Sequence, residues 1–159
     1  MKVLVSALAL MLLAGTAAQA QTSALYGAPI SNEQARRAAS KAIEEARKNQ
    51  WQIAVAIVDP GGELVYFERI DGTQTGSIGL AIEKAKTAVA YKRSTKALED
   101  RVIEGRLQYL RQGQAIPIEG GLPLMADGKV IGALGVSGVR SHQDGVVAQA
   151  GADALKAGQ

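Results

Sequence analysis

Residues 53–72, IAVAIVDPGGELVYFERIDG, restrict this chain more than any other stretch. Residues 53–58 form an almost continuous apolar and β-branched run, Asp59-Pro60-Gly61-Gly62 supplies turn chemistry, and residues 64–70 resume a strand composition. The segment therefore reads as a β-hairpin. Arg69 and Asp71 fall where its second strand runs out, either as a local ion pair or as polar groups of a site.

A second hairpin follows late in the chain. Gly120-Gly121 leads into an apolar run over residues 122–125, Asp127-Gly128 makes a two-residue turn, and residues 129–137 form the last strand. Gly132, Gly135 and Gly138 have G-x-x-G-x-x-G spacing, which is not the dinucleotide fingerprint; glycines inside a strand instead admit a close neighbour. Ser137 lies in GVSGV, so it is not a nucleophile elbow.

Helical patterns lie around the hairpins. Ser31 is an N-cap with Gln34 in capping-box position, and Ala35, Ala38, Ala39, Ala42, Ile43 and Ala46 recur at helical spacing up to an Asn49 stop, with Trp51 packing under the helix end. So small a stripe implies a helix lying close to a sheet. A second helix over residues 77–93 places Ile78, Ala81, Ile82, Ala85, Ala88 and Val89 on one face. Lys84 sits at the edge of that stripe, either snorkelling over the core or bordering a pocket as a cation. Residues 94–114 are polar and read as one or two short helical turns. A final helix begins near Ser141, has Asp144 in its first turn, and buries Val146, Val147, Ala150, Ala154 and Leu155. Two hairpins in one antiparallel sheet with helices on its faces make an α+β architecture.

Residues 1–20 have the form of a secretory signal peptide: Met1-Lys2, an apolar run over residues 3–13, and Ala18-Gln19-Ala20 as a cleavage site. That run is shorter than the roughly 20 residues a membrane span needs. Cleavage would leave residues 21–159, enough for one domain, exported to a periplasm or secreted and with no stable membrane insertion. The chain contains no cysteine, which excludes disulfides and a lipoprotein anchor. Its formal charge is +3, and the basic residues of the first helix alternate with Glu33, Glu44 and Glu45. That pattern describes a solvated face rather than a nucleic-acid surface. With one histidine and no cysteine, a tetrahedral zinc site built from those ligands is excluded.

The segment VDPGGELVYFERIDG resembles the signature hairpin of the GlcG/HbpS family, also called the haem-degrading or DUF336 domain family, whose usual form is close to VDxGGxLxxFxRMDG. The resemblance continues through SIGLAIEKAKTA (77–88), IPIEGGLPL (116–124) and VIGALGVSG (130–138). Four blocks in the right order span nearly all of the chain after the leader. Two departures stand out: Ile70 replaces the common Met, and RSHQDG (140–145) carries His142 where other polar residues are usual.

The resemblance implies a profilin-like three-layer arrangement, a tendency to form homo-oligomers and, in some members, haem binding linked to sequestration, sensing or slow haem breakdown. Haem needs an apolar slot, cations for its propionates and usually an axial ligand. Arg69, Lys84 and Arg93 are the candidate propionate partners, and His142 is the candidate iron ligand, with Met125 or Tyr91 behind it. A second reading is a binding module for a small hydroxy acid or similar anion held near Asp59, Arg69, Asp71, Lys84 and Gly120-Gly121. A third is an oligomerising scaffold. For an enzyme, Asp71 and Glu119 are candidate acids or bases, but no catalytic dyad is evident.

Overall fold

The computed structural model describes residues 24–113 and 115–156; the leader expected over residues 1–20 lies outside them. Helix α1, Asn32–Lys48, starts at a complete Ser31–Gln34 capping box and ends at Asn49, as its sequence signals require. The first hairpin is β1, Ala54–Val58, and β2, Leu64–Arg69. Helix α2, Gly76–Tyr91, stops at Lys92, which adopts a left-handed φ of 49°. The stretch expected to hold one or two helical turns is more regular than that: α3, Thr95–Ile103, is capped by Ser94, and a 3-10 helix spans Leu107–Arg111. The second hairpin is β3, Gly121–Ala126, and β4, Lys129–Ser137, with Asp127 and Gly128 both at positive φ in the turn. Helix α4, Ser141–Lys156, closes the described chain.

The four strands form one antiparallel sheet in the order β2-β1-β4-β3, so the hairpins meet through β1 and β4. Ile53, Val55 and Ile57 face α1 and α4 together with Leu134 and Val136, while Ala54, Ala56 and Val58 face α2. The layers are thus α1 with α4, the sheet, and α2 with α3. Gly135 shows how near the helix lies: a Cβ there would collide with the Ala81 carbonyl. Trp51 packs against the α1 side of the core, as expected.

The α4 stripe differs from its expectation. Val146 is 49% exposed, and the inward face is Asp144, Val147, Ala148, Gly151, Ala152 and Leu155. The helix is phased by a backbone contact: Gly151 lies so close to the Ala38 carbonyl that a Cβ there would come within 2.9 Å of it. A period judged from large apolar side chains misses such a contact. Among the described residues, no helix is long and apolar enough to cross a membrane.

Candidate functional site

The four segments that meet beside the first hairpin turn are far apart in sequence. An open cleft of about 610 Å³ lies between the Pro60-Gly61-Gly62 turn and the last turns of α2, with Tyr26 and Ala115 completing its walls. Asp59 shapes the turn wall, since its Oδ1 accepts hydrogen bonds from the N–H groups of Gly61 at 2.8 Å and Glu63 at 2.9 Å. Its carboxylate thus organises the loop from behind, and Asp59 is not among the residues that line the cleft. Lys86, Ala90 and Tyr91 lie on the opposite wall.

The Tyr26 wall is fixed by backbone pairing. Gly27 donates its N–H to the Val130 carbonyl, and Val130 donates in return to that of Leu25, so the segment lies along β4 beyond the end of β1. Tyr26 donates its hydroxyl to the Val89 carbonyl at 2.9 Å, and Lys92 Nζ sits 4.6 Å from the centre of its ring. Tyr91 is less constrained: its hydroxyl meets the Gln112 carbonyl only at 3.4 Å, beyond the usual O–H···O range. On the α2 wall, Thr87 accepts a hydrogen bond from the Ile116 N–H and holds the segment before β3 in place.

Lys84 is elsewhere, inside the protein. Its ammonium is fully buried, 2.8 Å from Asp144 Oδ2 and 3.0 Å from the Val136 carbonyl. It neither snorkels nor borders an accessible pocket. Burial pushes the Asp144 carboxyl above its usual range; the Lys84 ammonium and the Val139 N–H act against that push. Gly120 lies directly over the pair at φ +128°, where a Cβ would come within 2.9 Å of both Lys84 Nζ and Asp144 Cβ. Thr95 accepts a hydrogen bond from the Gly121 N–H at 2.8 Å. The Gly120-Gly121 pair is therefore brought to Lys84, as a backbone cover for an ion pair.

A smaller hollow of about 180 Å³ lies outside that cover, lined in part by Lys96, Glu119 and Gln149. Burial raises the Glu119 carboxyl above its usual range, with Glu99 and Asp100 adding to the effect and Lys96 and His142 opposing it. Lys96 is already engaged by Asp100 at 2.8 Å.

The remaining candidates do not converge. Arg69 is exposed at the end of an edge strand and Asp71 is exposed in the following loop, and neither belongs to an ion pair among the described residues. A common pocket for Arg69 and Lys84 is thereby corrected, because the short connecting loop brings α2 back with Lys84 pointing into the sheet. Arg93 is exposed and donates Nε–H to the Tyr91 carbonyl at 3.3 Å. Met125 packs against the cluster of Val58, Val89 and Val130. His142 is exposed on the first turn of α4, just past the far end of β4 from the cleft. Seven residue steps of β4, roughly 23 Å at about 3.3 Å each, separate Val130 beside the cleft from Ser137 before that helix. Among the described residues, no three His, Cys, Asp or Glu side chains are grouped to hold a metal ion.

Tyr26 and Lys86 are among the cleft residues that sequence reasoning did not single out. Lys86 points away from the α2 core stripe, and away from the core is where the cleft lies. The chain has four tyrosines, and two of them meet here. Sixty-five positions separate the two, so nothing in the sequence connects them.

Comparison with known proteins places the chain in a family. The model of the family described as haem degrading protein HbpS-like matches residues 30–153. GlcG of Escherichia coli strain K12 is 39% identical over 94 residues, covering 59% of this chain and 70% of that protein. The crystal structure of HbpS superposes with a TM-score of 0.75 at 31% identity, covering 81% of this chain and 92% of that one. The crystal structure of the PduOC:haem complex superposes with a TM-score of 0.72 at 35% identity, covering 79% of this chain and 94% of that one. With the hairpin signature, the three-layer fold and a family match over most of its length, the chain belongs to the HbpS-like family.

Proposed function

We propose that this chain is an exported haem-binding protein that serves in haem sequestration, sensing or slow breakdown, and that haem occupies the cleft between the first hairpin turn and α2. The observation that carries this reading is the cleft itself. Its volume of about 610 Å³ falls in the usual range for small-molecule sites, about 300–1,000 Å³. Pro60, Ala90 and Ala115 offer apolar surface for a flat macrocycle, Lys86, which meets Glu83 at 3.2 Å, offers a cation for a propionate, and Tyr26 and Tyr91 line the walls. The residues present thus fit the group. When bound, haem would supply a redox-active iron; the protein would supply the slot, the cation and the limit on solvent access.

The HbpS-like family match and the haem complex of a relative support the ligand class. The signal-peptide form of residues 1–20 supports export. Self-association is supported by the exposed Ile103, Leu107 and Leu110, grouped on α3 and the 3-10 helix. Titration of the purified protein with haemin is expected to give a saturable Soret shift at one haem per chain. A spectrum that remains the sum of free haemin and protein removes the reading.

A further inference from the structure

We infer that Tyr91 is the protein's axial ligand to haem iron, through its phenolate oxygen; this rests on the placement of haem in the cleft. The side chains that ligate haem iron are His, Cys, Met and Tyr. The chain has no Cys and a single His, and His142 is exposed beyond the far end of β4 from the cleft. Met125 is half-buried against the apolar cluster beneath α2 and lines a different hollow, with Gln149 and Lys156. Among the described residues that line the cleft, this leaves Tyr26 and Tyr91.

The two tyrosines differ in what already holds them. Tyr26 donates to the Val89 carbonyl at 2.9 Å with its ring beneath Lys92, and its neighbours are pinned to β4 by backbone hydrogen bonds. Drawing its oxygen into the cleft would break a good hydrogen bond and a cation–π contact. Tyr91 gives up much less, because its hydroxyl reaches the Gln112 carbonyl only at 3.4 Å. It stands on the last turn of α2, just before the left-handed Lys92, so its Cα is held by the helix while its oxygen is nearly uncommitted. On ligation, the phenol proton passes to solvent and the oxygen lone pair forms the bond to ferric iron, with no change in oxidation state.

Tyr91→Phe and Tyr26→Phe, each compared with the parent protein loaded with ferric haem, test this. The parent is expected to show resonance Raman bands of an iron-bound phenolate. Tyr91→Phe should lose them and change its Soret spectrum while keeping its circular dichroism, and Tyr26→Phe should keep them. Phenolate bands that survive in Tyr91→Phe, that vanish in Tyr26→Phe instead, or that are absent from a parent with a saturable Soret shift overturn the assignment. A parent with no Soret shift overturns the haem reading itself, so the two failures are distinct.

Discussion

Lys84 and Asp144 can both be buried only because each satisfies the other. Either charge alone, away from water, would carry a desolvation cost of several kcal/mol. Their 2.8 Å contact ties α2 to α4 across the end of the sheet, and Gly120 seals it. Lys84→Met should therefore destabilise the protein by about 3–5 kcal/mol in denaturant unfolding, because it strands the Asp144 carboxylate. The double variant Lys84→Met, Asp144→Leu should recover most of that loss. A single variant as stable as the parent would show that the pair does not form. Helical spacing put Lys84 at the edge of a core stripe, and first-turn position suited Asp144 to a helix N-terminus. Their pairing was hidden, since sixty positions separate them and neither residue carries a mark of its partner. Asp59 was legible as a turn residue, and the turn is what it serves.

Elements were legible where local chemistry dictates them. The capping box of α1, the turn residues of both hairpins and the continuous apolar run of β1 fix their structures within a few residues of the bonds they make. Helix α3 was obscured because its buried face among described residues is only Thr95 and Leu98, too little to show a period. The phase of α4 was misread because glycine and alanine make its closest contacts. The same preference for small residues holds α2 on the sheet, where Gly135 leaves no room for a methyl group beneath Ala81. Gly135→Ala should lower stability by about 1–3 kcal/mol, read as a drop in thermal midpoint, because backbone rather than a flexible side chain must move. An unchanged midpoint would mean that α2 rides higher on the sheet than described.

At the scale of the whole molecule, two hairpins and their helices could be counted in the sequence, but the β1–β4 pairing that joins them could not. The cleft depends on that pairing. It is assembled from residues near positions 26, 60, 90 and 115, which no local pattern connects. Hence the candidate set drawn from residue chemistry, Arg69, Lys84, Arg93 and His142, scattered over an edge strand, the interior, a loop and a distant helix start. Residues chosen for charge were solvated or internally paired; those that build the cleft are mostly small or aromatic and give no signal until folded. The central claim is that haem occupies this cleft, and the most direct test is location. Gallium protoporphyrin, a diamagnetic stand-in for haem, can be titrated into isotopically labelled protein while backbone amide shifts are followed. The account predicts that the largest changes fall on Gly61, Gly62, Ala90 and Tyr91. Changes centred instead on Glu119, Gly121 and His142 would contradict it.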